Sequence, residues 1–296
     1  MAIRNKKCII CGGPHLFSEV TVGKWRYIRC INCEAVFLDQ FPTSEELTKI
    51  YSYKGAGDLP KLNSALYIFS KIGPLRLLIH LMGYWVNTTR AKSIHGYKKG
   101  KVLDIGAGPG DFMKLIQRSG WDVYGTEVSQ KLVKNLGDYF GEAKIFKGEV
   151  FNIKFEGKKF DLVTMWHVFE HVPNYLRVAS YFGKITNKNA NIIIEVPHAN
   201  SLNFKIFKEN WVLLLIPQHL HFWSRQTFQD ILNKNGFYIK KVEYPWHFPF
   251  VFFSSLVRSN RYAILFFPVL MPLSLVWSVI ISYFKRGDVI RIYASK

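Results

Sequence analysis

Past residue 33 the chain has no cysteine, so no thiol chemistry is available to most of its length. Acidic side chains are also scarce, with 21 Asp and Glu against 40 Lys and Arg and a formal charge of +19. Such an imbalance argues against cationic partners and steers the protein toward an anionic surface, either acidic phospholipid or nucleic acid. The amino-terminal stretch MAIRNKKCIICGG lacks an apolar run long enough for a signal peptide. With paired thiols beside it, the expectation is a reducing compartment and the cytoplasmic side. No internal repeat occurs. What the chain has in quantity is apolar and aromatic: 49% hydrophobic residues, including 24 Phe, 15 Tyr and 8 Trp. That composition excludes a long disordered polymer.

The four cysteines form two pairs, Cys8-Ile9-Ile10-Cys11 and Cys30-Ile31-Asn32-Cys33, with 18 residues between the pairs. Two knuckles of this spacing can bring four thiolates to one tetrahedral Zn2+. Gly12 and Gly13 permit the sharp turn after the first pair, and Thr21 to Ile28 is rich enough in β-branched and aromatic residues for a β ribbon. So short a module buries little core, and the metal would supply folding energy directly. Four thiolates leave no open coordination position, which makes the expected zinc structural. Two reduced or redox-active pairs are the alternative. Residues 1–40 are thus expected to be a zinc-ribbon-like module.

Residues 41–95 read as a helical linker or cleft cover. Pro42-Thr43-Ser44-Glu45-Glu46 looks like a helix start capped by Thr43 or Ser44, and Gly55 to Pro60 breaks that element. Ser64 to Val86 resembles a broken amphipathic helix that could cover a cleft, touch a membrane or pack on the main domain.

The main domain is expected over 96–296. Strands are predicted at Lys101 to Gly106, Asp122 to Thr126, Lys144 to Phe146, Phe160 to Met165, Asn191 to Val196, Phe237 to Val242 and Val289 to Ala294. Helices are predicted at Asp111 to Gly120 and Ser129 to Phe140. Apolar strands alternating with helices imply an α/β fold, a mostly parallel sheet covered on both sides.

Asp104-Ile-Gly106-Ala-Gly108-Pro-Gly110 is the sharpest signal. Alternate glycines let the backbone turn and approach a ligand closely. Asp104 stands at the carboxyl end of the first strand, where open α/β sheets place ligands. A dinucleotide fingerprint would need glycine at residue 111, which is Asp111, and a carboxylate there disfavours a pyrophosphate. The pattern suits S-adenosylmethionine, which carries no phosphate and ends in an ammonium and a carboxylate. Glu127, 23 residues beyond Asp104, can accept both ribose hydroxyls, and Glu149 can receive the adenine amino hydrogens.

This set resembles the class I S-adenosylmethionine-dependent methyltransferase family over about 96–242 and 289–294. The resemblance implies a Rossmann-like seven-stranded sheet whose last strand, 289–294, is antiparallel. It implies cofactor contacts from Asp104, Gly106, Gly108, Gly110, Glu127 and Glu149; Trp166, placed where the sheet opens to the ligand cleft, is expected to contact the cofactor as well.

Beyond the fourth strand comes Trp166-His167-Val168-Phe169-Glu170-His171, and later Pro217-Gln218-His219-Leu220-His221, before a helix capped by Ser224 or Thr227. A helix beginning near His167 would put it on one face with Glu170 or His171. Methyl transfer needs a nucleophile held in line and its proton removed, and histidine suits proton removal near neutral pH. His167, Glu170, His171, His219 and His221 are therefore the catalytic candidates, against the bland reading of satisfied structural histidines. The segment is also similar to ubiquinone-biosynthesis O-methyltransferases and small-RNA 2′-O-methyltransferases, which carry Glu-x-x-Glu-His and a later histidine that assist a divalent metal. Glu170, His171 and His219 match, whereas His167 stands at the first Glu position, so no second metal is assigned. With Val196-Pro197-His198-Ala199-Asn200 added, the motifs look closer to methyltransferases of saccharide and lipid pathways.

Finally, Tyr244 to Val257 carries no Asp, Glu, Lys or Arg, and Tyr262 to Phe284 is a run of 23 uncharged residues. The second run is long enough to span a bilayer. Both ends must return to one sheet, and Arg258, Arg261, Lys285 and Arg286 flank it, so a re-entrant or interfacial hairpin over 245–286 is expected, kinked or broken by Pro268 and Pro272. A soluble lid is the alternative. The expected function is methyl transfer to an oxygen of a lipid-linked, saccharide or other small-molecule acceptor at the membrane surface. RNA methylation and a non-catalytic cofactor-binding scaffold are the other readings.

Overall fold

The computed structural model describes residues 2–3, 6–43, 45–46 and 73–296. Ser44, the break at Gly55 to Pro60 and the start of the Ser64 to Val86 segment lie outside the described residues. Within them, Thr43 Oγ1 accepts from the Glu46 amide (3.1 Å) and Glu46 Oε2 accepts from the Thr43 amide (2.9 Å). That reciprocal pair is a capping box.

The central sheet has seven strands: β5 (Lys101–Ile105), β6 (Asp122–Glu127), β7 (Ile145–Lys147), β8 (Phe160–Trp166), β9 (Thr186–Pro197), β11 (Tyr238–Glu243) and β12 (Val289–Ser295), in spatial order β11-β12-β9-β8-β5-β6-β7. Pairings from β7 to β9 are parallel, while β12 runs antiparallel to both β9 and β11. The expected antiparallel last strand is therefore present. Side-chain alternation sends Leu103, Ile105, Val163, Met165, Ile192, Ile194, Ile290 and Ile292 to one face, where helices α4 (Tyr175–Ile185) and α6 (Arg225–Asn233) cover them. Val102, Leu162, Ile193 and Tyr293 face the opposite layer, covered by α1 (Gly73–Ser93), α2 (Asp111–Arg118) and α3 (Gln130–Phe140). Burial on both faces explains why these strands read as continuous apolar runs. Ser224 caps α6, and Thr227 reciprocates through its own hydroxyl.

The amino-terminal segment forms a second, five-stranded sheet: β1 (Ala2–Ile3), β2 (Leu16–Val22), β3 (Trp25–Cys30), β4 (Val36–Leu38) and β10 (His221–Phe222), in that order. The stretch expected as one ribbon is split between β2 and β3 by a turn at Gly23, whose φ of 56° suits glycine. Its fifth strand comes from the main domain, through pairing of His221 with Phe37 and Phe222 with Val36.

No helix begins near His167, and there the expectation is corrected. Strand β8 ends at Trp166, His167 adopts φ 56°, and a single 3-10 turn, Phe169–His171, follows. The next helix starts only at Tyr175. The hydrogen bond from the His167 amide to the Glu195 carbonyl (2.8 Å) extends the sheet by one residue before the chain turns.

Before β12 lie α7 (Phe250–Ser259), a 3-10 segment (Arg261–Phe266) and α8 (Phe267–Tyr283). The two helices differ in kind. Val251, Phe253 and Val257 of α7 are buried, and Val251 packs with Phe204 of α5 (Leu202–Phe207), Trp211 and Leu214. Helix α8 buries only Ser274, Ser278 and Ile281. Neither proline breaks it: Pro268 occupies its first turn, where a missing N–H costs nothing, and Pro272 is carried inside. The return into β12 is pinned by Asp288, whose carboxylate accepts from Ser201 (2.7 Å), Asn203 (2.8 Å) and the Trp211 indole (3.0 Å).

Candidate active site

At the carboxyl ends of β5 and β6 the glycine loop bends through left-handed residues, with φ 72° at Gly106, 56° at Gly108 and 78° at Gly110. A Cβ at Gly106 would meet Val168 at 2.5 Å, and one at Gly110 would meet Leu136 at 2.5 Å. At Gly108 a Cβ would meet nothing, so this backbone is open to a ligand. Asp104 is buried beneath the loop and accepts from the Thr164 hydroxyl (2.7 Å). Burial, above all, pushes its carboxyl up to about 7.

Glu127 shapes the same loop. Its Oε2 accepts from the Gly108 amide (3.0 Å), and its Oε1 from the amides of Val128 and Ser129 (2.9 Å each). Three backbone donors fix this carboxylate while leaving lone pairs for ribose hydroxyls. Glu149 is exposed at the end of β7, with Asn152 at 3.4 Å. Trp166 is buried, edge-on to Phe112 at 4.9 Å and flanked by the guanidinium groups of Arg90 (5.2 Å) and Arg291 (5.5 Å).

Four of the five catalytic candidates come together beside β8. The Nδ1 of His167 is 3.2 Å from Glu170 Oε1, and its Nε2 is 3.6 Å from Glu195 Oε1. Glu170, His171 and His219 offer ligand atoms that all lie within 4.8 Å of one another. His171 Nδ1 is 3.0 Å from the Gln218 carbonyl and His219 Nδ1 is 2.7 Å from the Leu213 carbonyl. A carbonyl only accepts, so each Nδ1 carries the hydrogen and each neutral ring has its lone pair at Nε2. Burial holds His219 down at about 3 and lowers His171 as well, so both stay neutral near pH 7. Burial opposes ionisation of Glu170, but the hydrogen bond and charge of His167 outweigh it and keep the carboxyl low. The result is a cluster of acceptors, one carboxylate and two imidazole lone pairs, in which Glu170 Oε2 has no hydrogen-bond partner. Such a set can take a hydroxyl proton or hold a cation.

His221 is not part of this group. Its ring sits among Phe41 (5.1 Å), Tyr175 (5.0 Å) and Trp223 (4.9 Å), and burial holds it at about 3. His198 likewise serves the framework, with Nδ1 at 3.1 Å from the Gly287 carbonyl.

Sequence reasoning missed a buried charge cluster centred on Glu195. Its Oε1 accepts from Arg90 (2.6 and 2.9 Å) and its Oε2 from Arg291 (2.5 and 2.8 Å), with His247 Nε2 at 3.6 Å. Burial opposes that charge, yet the two guanidinium groups hold the carboxyl well below its ordinary range. The available signal was a glutamate inside the apolar run Asn191 to Val196. His167 thus bridges two buried carboxylates. Burial works against its charge, but the carboxylates prevail and raise its pKa.

Residues 81–242, more than half of the chain, match the sequence profile of a family described as "Methyltransferase domain". The chain belongs to that family. The match begins inside α1, so Arg90 falls within the methyltransferase region. Among curated proteins, this methyltransferase is similar to the ubiquinone biosynthesis O-methyltransferase of Ralstonia nicotianae, 22% identical over 60% of this chain and 78% of that protein. It is also similar to the enzyme of that name from Hahella chejuensis, 24% identical over 42% of this chain and spanning only 56% of its relative. A SAM dependent methyltransferase from Archaeoglobus fulgidus shares the fold, with a TM-score of 0.51 and 21% identity over 72% of this chain and 93% of its own. Strand order and the antiparallel β12 are those of the class I S-adenosylmethionine-dependent fold.

Proposed function

We propose that this chain transfers a methyl group from S-adenosylmethionine to a hydroxyl oxygen of a lipid-linked, saccharide or other small-molecule acceptor. The observation that carries the reading is the acceptor-only cluster of Glu170, His171 and His219 beside the glycine loop. When bound, the cofactor supplies an electrophilic methyl on a sulfonium. Asp104 and the backbone of Gly106, Gly108 and Gly110 hold its amino-acid end, Glu127 its ribose and Glu149 its adenine, with Trp166 closing the rim. Glu170 and the two Nε2 lone pairs receive and orient the acceptor hydroxyl and take its proton as the oxygen attacks. His167 counters the carboxylate charge from behind, while His221 belongs to the framework. The O-methyltransferase relatives favour oxygen over nitrogen or carbon.

The three ligands could also hold a divalent cation. His167, standing where the related pattern has a carboxylate, takes one negative oxygen out of that set.

In the amino-terminal module, Cys8 Sγ lies 3.7 Å from Cys33 Sγ and Cys11 Sγ 3.6 Å from Cys30 Sγ, and all four fall within 4.8 Å. Disulfides would need about 2.05 Å. A tetrahedron with Zn–S near 2.3 Å has an edge of about 3.8 Å, so the spacing fits zinc. Amides of Ile10 and Gly13 point to Cys8 and Cys11 Sγ at 3.4 Å, the donors a thiolate knuckle uses. We read residues 1–40 as a structural Zn2+ module and 96–296, with α1, as the methyltransferase domain.

The deciding experiment incubates the zinc-loaded protein and deuteromethyl-labelled cofactor with lipid, glycan, quinone and RNA extracts, followed by mass spectrometry. Label on an oxygen of a lipid, glycan or quinone is expected. Label confined to RNA would replace the acceptor class, and none at all would leave a cofactor-binding scaffold.

The cofactor corner gives a pH prediction. Asp104 is neutral below about 7, and a ligand ammonium favours its ionised form. Affinity for S-adenosylhomocysteine should therefore be full above pH 8 and fall by up to about tenfold per unit below pH 7. Calorimetric titration between pH 5.5 and 8.5 checks this. A flat profile would remove Asp104 from the ligand site.

A further inference from the structure

Helix α8 is built inside out. The stripe it turns toward the protein is Ser274, Ser278 and Ile281, spaced for one helix face, and the serines spend their hydroxyls on the Leu270 carbonyl (2.7 Å) and the Trp246 carbonyl (3.0 Å). Its outward residues are Val269, Leu273, Val276, Val279, Ile280 and Tyr283, all exposed, with Tyr283 at 81%. Just before it, Leu265 is 73% exposed beside Phe266. A helix serving only as a lid in water would carry the reverse arrangement. So large a contiguous apolar face marks a site of contact with something else.

Charge and attachment say what that something is. Between residues 244 and 287 there is no Asp or Glu, while Arg258, Arg261, Lys285 and Arg286 stand exposed at the two ends of the apolar run. Basic residues flanking an apolar face complement an acidic headgroup layer over acyl chains. The helix is fastened along its flank, which opposes a crossing of the bilayer and fits a helix lying along its surface. Trp277 Nε1 donates to Asn203 Oδ1 (2.9 Å), Ser278 is tied to Trp246, and Leu270 and Met271 pack on the α7 residues Phe253 and Val257.

We propose that α8 lies in the plane of an anionic leaflet, its outward face among the acyl chains, and that this contact turns one side of the active site toward the lipid. Trp246, exposed at the foot of α8, packs on Trp85 of α1 at 5.0 Å, beside exposed Leu81 and Tyr84. The next two residues reach the buried cluster: His247 lies 3.6 Å from Glu195, and the Phe248 ring 5.3 Å from His167. The chain thus passes from the lipid-facing surface to Glu195 and His167 within three residues, and His167 in turn lies 3.2 Å from Glu170 of the acceptor cluster. An acceptor with a lipid tail would meet the cluster beside Trp246 without leaving the membrane. Only this last consequence rests on the methyl-transfer reading.

The test uses the full zinc-loaded chain in flotation with phosphatidylglycerol–phosphatidylcholine vesicles and with phosphatidylcholine alone, while S-adenosylhomocysteine affinity is measured on the same samples. Wild-type protein should float with the anionic vesicles, at least tenfold more weakly with neutral ones, and dissociate in high salt. The double variant Val276→Asp, Ile280→Asp should lose at least tenfold in vesicle affinity with cofactor affinity unchanged. Loss of cofactor affinity in wild type would defeat the enzyme reading and leave flotation to be judged alone. Three outcomes overturn the proposal: no flotation of a cofactor-binding wild type, a dimer that the double variant disperses without any vesicle binding, and protein that resists carbonate extraction as a spanning helix does.

Discussion

Glu170→Gln should lower kcat by about 10²-fold or more while leaving S-adenosylhomocysteine affinity within about twofold. Glutamine keeps the shape of the side chain but removes its charge and introduces an NH2 donor beside the Nε2 lone pairs of His171 and His219. Glu170 is fully buried, and its Oε1 is 3.2 Å from His167 and 3.9 Å from His219. On the methyl-transfer reading, the substitution therefore removes the proposed base and the charge that pairs with His167 in one step. Loss of positioned proton transfer costs about 10²- to 10⁴-fold, or about 2.7–5.4 kcal/mol of barrier. The proposed cofactor corner is built mainly from the ends of β5 and β6, with Glu149 after β7, and Glu170 contributes nothing to it, which is why binding should survive. The measurement is single-turnover methyl transfer beside calorimetric titration, with His171→Asn as companion. Unchanged turnover in Glu170→Gln would show the cluster to be framework.

What could be read in advance was whatever the local pattern encodes. Apolar strands buried on both faces, the run of glycines after β5 and the cysteine spacing each announce a backbone conformation through neighbours in sequence. The buried charge cluster does not, because Glu195 meets Arg90 across 105 residues and Arg291 across 96. Only an isolated glutamate in an apolar strand hinted at it. His167 was misplaced for a related reason: its spacing to Glu170 fits a helix face, yet a left-handed residue and one 3-10 turn bring the same two side chains together. The strand β10 is only His221–Phe222, too short for any periodicity, although it joins the two sheets. For α8 the length of the apolar run was plain. Which side faces the protein depends on two serines four residues apart, a weak mark in an otherwise uniform helix.

That joint between the sheets makes the cysteine module a support for the acceptor cluster, and Cys30→Ser should show it. The expected result is loss of near-stoichiometric zinc together with a fall in kcat of at least tenfold, while S-adenosylhomocysteine still binds. The path is short. Cys30 is the last residue of β3, and three residues earlier on that strand Tyr27 donates its hydroxyl to the His219 carbonyl at 2.6 Å. Strand β4 pairs with β10, and the Leu38 amide donates to the Leu220 carbonyl (2.9 Å). Ser224 Oγ donates to the Cys33 carbonyl (2.7 Å), so the loop carrying His219 is held by the module on both sides. On the zinc reading, a module this small would depend on its metal for folding, and release of the metal would free that loop. Tyr27→Phe separates positioning from folding, because it removes one buried hydrogen bond, worth about 1 kcal/mol, and leaves the thiolates alone. It should retain full zinc and lower kcat several-fold with little change in cofactor affinity. Metal analysis of reduced protein and single-turnover rates decide the matter. Full zinc in Cys30→Ser would refute the four-thiolate site, and zinc loss with undiminished kcat would make the module independent of His219.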